Sequence, residues 1–404
     1  MSRAGDLVAA AGRMPIVRGS VDDPAAVLAV AMLMHLAEPG DGTAGALAAA
    51  LGPRRIVESL LAGESADALA YAAAHAGVEL EPALVARGLG RWLPRLDLTA
   101  ATRSVAQAAR SGARLVLPGD HDWPSGLDDL GPHAPPGLWV RGAPHALDAL
   151  GRSIALVGAR AATGYGEHVT TQAAAGLADR GFAIVSGAAY GIDARAHRAT
   201  LASDGTTVAF LAGGVDRPYP AAHDSLLADI AARGAVVSEV PCGAAPTKWR
   251  FLQRNRLIAA AANATIVLEA GRRSGSLNTA GHAATLGRPL GAVPGPVTSP
   301  ASAGCHRLLR EYDAVCVTDA SEMAELAGDT PPGSSAQPLL GELAPDELRA
   351  LDALAPRAAC SVDDIARRAG LEPTRARAAL AGLEALGAAA TRDALWVRTR
   401  TMPT

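Results

Sequence analysis

Two hydrophobic periods divide this chain. From Asp22 to about Arg110, Ala and Leu recur every three to four positions, with Gly and Pro as punctuation, which predicts a run of short helices. Leu51-Gly52-Pro53 reads as a turn between two of them. A helix-hairpin-helix contact with DNA would need a glycine pattern that this stretch does not show. From Ala113 the period changes to short apolar runs separated by helical segments. The runs are Arg114–Leu117, Gly137–Val140, Ser153–Val157, Ala183–Val185, Thr207–Leu211, Ala235–Ser238, Thr265–Leu268, Leu290–Val293 and Ala314–Val317. Strands alternating with helices predict an α/β fold whose mainly parallel sheet is covered on both faces. Ligands of such sheets bind at the carboxyl ends of the strands.

Residues 328–340 are rich in Pro, Gly and Ser and read as a linker. Beyond it, Leu348–Leu354 predicts one helix, and Ser361 is placed to cap a second that contains Ile365. Gly370-Leu371-Glu372-Pro373 predicts a turn, Thr374–Leu386 a third helix, and Ala388–Val397 a small β-wing. That order is a winged helix-turn-helix pattern. The expected organisation is a poorly ordered stretch over residues 1–20, an all-α domain over 21–111 and an α/β domain over 112–325. A linker over 326–341 and a winged-helix domain over 342–404 follow.

The richest stretch runs from Phe251 to Ala280. Arg254, Asn255 and Arg256 open an Ala-rich helical segment, and an apolar strand follows that ends in Glu269. The chain then turns through Ser274-Gly275-Ser276 towards Thr279. A strand that leads through small residues into a helix start can present backbone N–H groups to an anion. Lys248 to Arg288 holds seven basic residues and one acid. Alternating positions on one helix cannot all face one way, so two of Arg254, Asn255 and Arg256 are expected at a ligand.

Three further strand-to-loop segments carry glycine. Val157-Gly158-Ala159-Arg160 lacks both the G-x-G-x-x-G and the G-x-x-x-x-G-K-[ST] spacing of nucleotide sites. Its Arg160 sits where a loop would face phosphate, and a guanidinium can grip phosphate with two hydrogen bonds. Ser186-Gly187 leads to Asp193 and His197, four apart on one helical face, for which capping and packing are expected rather than catalysis. Gly213-Gly214 is the third such loop. Glu269 is expected to hold loop amides or an arginine rather than act as a base.

Composition changes this picture little. The net charge is −3, so only local patches speak to nucleic acid. Lys248 is the only lysine; a chain that writes Arg by default explains the scarcity, and the one exception is a candidate for a role. Aromatic residues make up 3%, so base stacking must be limited; Trp249 and Tyr190 are candidate stackers, with core packing the expected role. Cys242, Cys305, Cys316 and Cys360 form no close pairs and show no metal or disulfide spacing. No metal or cofactor is expected. No apolar run approaches the roughly 20 residues needed to span a bilayer. The N-terminus lacks a signal-peptide pattern, so a cytoplasmic protein without membrane contact is expected.

From Leu117 to Asp319 the ordered blocks resemble the DNA-processing protein A (DprA/Smf) family. The blocks begin with Trp123-Pro124, Pro136-Gly137-Leu138-Trp139 and Gly142, then Val157-Gly158-Ala159-Arg160, Tyr165-Gly166 and Ser186-Gly187. They continue with Gly191-Ile192-Asp193, Ala196-His197, Tyr219-Pro220, Ser238-Glu239 and Arg254-Asn255-Arg256. Glu269-Ala270, Ser274-Gly275-Ser276, Thr279-Ala280, Gly287-Arg288 and Val293-Pro294-Gly295 complete the series. The resemblance implies an extended Rossmann-like domain, preceded here by a helical, SAM-like domain and followed by a winged helix. It implies a dimer that binds single-stranded DNA and loads RecA recombinase onto it in natural transformation, without enzymatic activity. The family's phosphate-gripping arginine falls on Arg160, and Lys248 and Arg254 to Arg256 fall near its other basic contacts. The implied DNA-contacting set is Gly158, Arg160, Gly187, Lys248, Arg254, Asn255, Arg256, Ser274, Gly275 and Thr279.

The chain departs from the family in three places. Ala188-Ala189-Tyr190 stands where Leu-Ala-Arg is common, Phe251-Leu252-Gln253 where Phe-Pro is common, and Tyr312-Asp313-Ala314 where Gly-Ala is common. Two other readings share features with it. Rossmann-like nucleotide hydrolases of the lysine-decarboxylase-like group also place a glutamate at a strand end, but their Gly-Gly-x-Gly-Thr core is missing. A transcription regulator would act through the winged helix, where Ile365 to Arg400 carries seven arginines against three acids.

Overall fold

A computed structural model describes residues 4–12, 23–329, 343–355, 358–392 and 394–399. The chain forms two compact units, Met1–Asp329 and Thr330–Thr404. The first opens with helices α1 (Ala4–Ala11), α2 (Pro24–Leu36), α3 (Gly42–Ala62), α4 (Ala66–His75), α5 (Pro82–Trp92) and α6 (Leu98–Arg110). Helix α3 breaks at Gly52, where φ is 77° just before Pro53, so the expected turn is a kink.

Helix α2 is apolar almost all round because it packs on two sides. Leu28, Met32 and Leu36 join a cluster with Leu47, Ile56, Leu69 and Trp92. Val27, Val30 and Met34 join a second cluster with Leu115, Trp139 and Leu211 of the sheet region. Helix α1 occupies part of the N-terminal stretch expected to be poorly ordered. Its Leu7, Ala10 and Ala11 lie on one face and pack into the first of these clusters. The rest of residues 1–20, apart from Gly12, lies outside the described residues, as do residues 330–341 of the expected linker.

The strands and helices that follow are β1 (Arg114–Val116), β2 (Leu138–Gly142), β3 (Ser153–Gly158), α7 (Gly164–Asp179), β4 (Ala183–Ser186), α8 (Ile192–Ala202) and β5 (Thr207–Phe210). Next come α9 (Asp224–Arg233), β6 (Ala235–Ser238), α10 (Lys248–Ala261), β7 (Ala264–Glu269), α11 (Ser276–Thr285) and β8 (Leu290–Ala292). Helix α12 (Ala303–Glu311), β9 (Val315–Cys316) and α13 (Ala320–Leu326) close the unit. All nine strands form one sheet in the order β1-β2-β6-β5-β4-β3-β7-β8-β9. It is parallel except where β2 pairs antiparallel with β1 and β6.

The central strands are buried on both faces, and their residues alternate between two cores. In β3, Ala155 and Val157 pack with Leu257, Ile258 and Ala280 of α10 and α11. Ile154 and Leu156 pack with Ala173, Leu177 and Ile192 of α7 and α8. From β3 the chain winds outward through β4, β5 and β6, then crosses back by α10 to lay β7 on the other side of β3. The crossovers therefore diverge between β3 and β7, which opens a crevice at their carboxyl ends.

In the second unit, α14 (Pro345–Ala353), α15 (Val362–Ala369) and α16 (Pro373–Ala385) precede the antiparallel hairpin β10 (Ala389–Arg392) and β11 (Leu395–Arg398). Ser361 caps α15 as expected, its hydroxyl accepting from the Asp364 N–H at 3.2 Å. Leu351, Ile365, Leu380, Leu383 and Trp396 form this unit's own core.

Candidate functional site

A cavity of about 550 Å³ opens at the carboxyl ends of β3 and β7. Gly158 and Arg160 line one side, and Arg272, Arg273, Ser274, Gly275, Ser276 and Thr279 the other. Arg254, Asn255 and Phe251, from α10, complete it. The positive end of the α11 dipole lies at its wall, which favours an anion there.

Glu269, at the end of β7, fixes the loop after β3 that frames one side of the cavity. Its Oε1 accepts from the Thr163 hydroxyl at 2.5 Å, and its Oε2 accepts from the Thr163 N–H at 2.8 Å. Thr163 in turn caps α7, accepting from the Gly166 N–H at 3.2 Å. Both carboxylate oxygens are therefore occupied by the loop after β3, and the expected scaffolding role is what the geometry shows. Gly158 is required by close packing: a Cβ there would lie 2.5 Å from Ile192 and 2.8 Å from the Glu269 carbonyl oxygen.

Arg254 is almost wholly buried. Its Nη1 donates to the carbonyl oxygens of Gly187, at 2.7 Å, and Phe210, at 2.5 Å, at the ends of β4 and β5. Its Nε donates to Asn255 Oδ1 at 3.2 Å. Burial lowers its pKa to about 10, the charge of nearby Asp193 opposing that shift. It remains a cation at neutral pH and forms the positive floor of the cavity. Asn255 ties this floor to the opposite wall, donating to Asn278 Oδ1 at 3.1 Å.

Asp193 is spent on the same loop. It accepts from the Gly187 and Ala189 N–H groups at 3.2 and 3.4 Å. Burial raises its pKa, with Arg254 pulling the other way. His197 points elsewhere, its Nδ1 2.7 Å from the Thr207 hydroxyl, and burial holds its pKa down to about 3. The two side chains have separate partners, as expected for capping and packing.

The seven basic residues between Lys248 and Arg288 meet different fates. Arg250 pairs with Glu38, both nitrogen–oxygen distances being 3.0 Å. Arg288 pairs with Asp129 at 2.7 Å. Arg256 lies outside the cavity. It forms a buried two-point pair with Glu239, at 2.5 and 2.6 Å, and donates to the His133 carbonyl at 2.9 Å. Lys248 is exposed at the start of α10 and does not line the cavity. Gly187 lies behind the floor as the partner of Arg254. That leaves Arg272 and Arg273, both exposed and both lining the cavity. Across from them, Arg160 is exposed, and its guanidinium sits over the Phe251 ring at 5.1 Å. Among the described residues, Arg160, Arg272 and Arg273 form no salt bridge.

The sequence-expected set thus divides. Gly158, Arg160, Arg254, Asn255, Ser274, Gly275 and Thr279 converge on one cavity, whereas Gly187, Lys248 and Arg256 do not line it. Arg272 and Arg273 join the cavity without having been singled out. Their signal was position: they occupy the loop between β7 and α11, where the sheet order reverses. Trp249 and Tyr190 are about half exposed rather than packed in a core, and neither lines this cavity. Trp249 borders a separate pocket beside Trp92, and Tyr190 stacks edge-on against His223 at 4.9 Å.

Among the described residues, no helix is long and apolar enough to cross a membrane. Residues 114–328 match the family model of DNA recombination-mediator protein A. A DNA processing protein DprA of Mycobacterium tuberculosis is 42% identical over 391 residues, covering 93% of this chain and 94% of that protein. Protein Smf of Escherichia coli is 40% identical over 192 residues, 47% of this chain and 50% of that protein. The crystal structure of DprA from Streptococcus pneumoniae superposes with a TM-score of 0.60 at 28% identity, covering 74% of this chain and 97% of that one. The family model spans the sheet that carries the arginine-lined cavity, and the chain belongs to the DNA recombination-mediator protein A (DprA/Smf) family, whose role is DNA processing in recombination.

Proposed function

We propose that the cavity between β3 and β7 grips the backbone of single-stranded DNA, with Arg160, Arg272 and Arg273 as the phosphate contacts. The observation that carries this reading is the convergence of three exposed arginines, none in a salt bridge among the described residues, around a floor formed by buried Arg254. Guanidinium forks fit phosphate oxygens, and each phosphate neutralised makes binding more salt-sensitive. A duplex is stiff, with a persistence length of about 50 nm, whereas a concave crevice favours a backbone that can bend into it. A single strand can. With few aromatic residues at the cavity, recognition is of the backbone and carries little base preference. Ser274, Gly275 and Thr279 supply hydroxyl and backbone groups, and Asn255 holds the Ser274-Gly275 turn in place.

The site binds rather than catalyses. Glu269 has both oxygens hydrogen-bonded to Thr163, and Asp193 accepts from backbone N–H groups of its own loop, which supports structural roles for these two carboxylates. Family membership supports the rest of the proposal. A recombination mediator needs a recombinase to act on, and we assign that partner as RecA, with the chain working as a cytoplasmic homodimer in natural transformation. The three helices and hairpin of the second unit supply the winged helix of this reading.

Competition binding tests it. A fluorescent oligothymidylate is bound to the full chain and displaced by unlabelled single-stranded or duplex DNA of equal length. Single strands should displace at least tenfold better. Equal displacement by the duplex would contradict the proposal.

A further inference from the structure

Two imidazoles and two carboxylates converge at a surface remote from the arginine cavity. His121 and Asp122 lie in the turn after β1, His145 in the turn after β2, and Asp148 at the start of the short 3-10 helix that follows. One ligand atom from each lies within 4.8 Å of the other three. His121 Nδ1 is 3.3 Å from Asp122 Oδ1 and 3.7 Å from Asp148 Oδ1. His145 Nδ1 is 3.6 Å from Asp122 Oδ1 and 3.7 Å from Asp148 Oδ2. None of the four lines the cavity described above.

Hydrogen bonding accounts for only one of these spacings, that between His121 and Asp122. An N–H···O contact closes at about 2.7–3.2 Å, and three of the four distances lie well beyond it. Ligands around a tetrahedral zinc ion behave differently. With metal bonds of about 2.0–2.2 Å, adjacent donor atoms lie about 3.3–3.6 Å apart. The four histidine–aspartate separations, 3.3 to 3.7 Å with Asp148 offering a different oxygen to each imidazole, lie at or just beyond that range, and the ligand atoms all fall within 4.8 Å of one another. Arg114 holds the other oxygen of Asp122 at 2.6 Å, which aims Oδ1 at both imidazoles. His145 adopts a φ of 58°, a left-handed conformation that few non-glycine residues take.

We infer that His121, Asp122, His145 and Asp148 form a divalent-metal site that clasps the turns after β1 and β2, with Zn²⁺ as its ion. Two nitrogen and two carboxylate donors suit zinc, whereas Mg²⁺ and Ca²⁺ select all-oxygen shells. The side chains of His121 and His145 are 80% and 71% exposed, so the ion enters and leaves without unfolding.

Titration calorimetry with ZnCl₂ alone, on the full metal-stripped chain, tests the site. The expected result is a one-to-one site that weakens at least tenfold in His145→Ala and in Asp148→Asn and vanishes in His121→Ala/His145→Ala. MgCl₂ should give no comparable binding. Co²⁺ loaded at the site should show the intense visible bands of a tetrahedral ion, absent in the double variant. Circular dichroism checks that each variant is folded, as expected for exposed positions. Absence of zinc binding by the unaltered chain, or the same affinity and stoichiometry in the folded double variant, would overturn the inference.

Discussion

Arg254 Nη1 donates to the carbonyl oxygen of Gly187 at 2.7 Å, joining the middle of α10 to the end of β4. The approach is possible only because residue 187 has no side chain: a Cβ there would lie 2.2 Å from that nitrogen. The cation is thus held by two backbone carbonyls and the Asn255 amide oxygen, with no carboxylate bonded to it among the described residues, and its charge remains available to the cavity above.

Gly187→Ala is expected to push this guanidinium off both carbonyls and deform the cavity floor. Overpacking of this kind costs about 1–3 kcal/mol, readable as a lowered urea midpoint, and single-strand affinity should fall with it. Gly164→Ala, at the start of α7 with open space around it, is the control and should change neither. A Gly187→Ala protein as stable and as tight-binding as the unaltered chain would remove Arg254 from the account.

Arg256 differs from its neighbour two positions back. Its pair with Glu239 has both side chains 3–4% exposed, so removing one partner strands a buried charge. Arg256→Met should cost about 3–5 kcal/mol in denaturant unfolding. Replacing both, as Arg256→Met/Glu239→Leu, should recover much of that loss. The folded fraction of either variant should bind single strands with unchanged affinity. A selective loss of binding without loss of stability would make Arg256 a DNA contact instead.

His197 predicts an acid sensitivity. Its pKa is held at about 3 by burial and by the charge of Arg254, against 6.5 when unperturbed. Between those values the unfolded chain binds a proton that the folded chain refuses, so stability falls as pH falls, by about 1.4 kcal/mol per unit. Above pH 6.5 the effect is absent. His197→Asn keeps a donor near Thr207 but removes the titration. Unfolding free energies at pH 7 and pH 5 should differ less in that variant than in the unaltered protein. Equal differences would show that His197 is not the sensor.

Periodicity made the scaffold legible. All nine strands lie where the short apolar runs fall, because each central strand is buried on both faces and must be apolar throughout. The role of Glu269 was legible too, since a carboxylate at a strand end beside small-residue loops readily accepts from their amides. Charge was less legible. Seven basic residues in one stretch look like one patch, but Arg250, Arg256 and Arg288 are neutralised by Glu38, Glu239 and Asp129, each distant in sequence. No local pattern reveals such partners. Arg272 and Arg273 stood out only once the strand order placed their loop at the point of reversal. Helix α1 was missed because an eight-residue Ala-rich segment has little helical tendency of its own and gains it from packing Leu7 against α2.

The salt dependence of single-strand binding tests the central claim most directly. For single strands the logarithm of affinity falls with the logarithm of salt concentration with a slope of about 0.7 per phosphate neutralised. Arg160→Ala/Arg272→Ala/Arg273→Ala, substituted at exposed positions, should remain folded, bind oligothymidylate more weakly, and show a slope shallower by about 2. The same affinity and the same slope in the triple variant would contradict the account and place the DNA elsewhere on the protein.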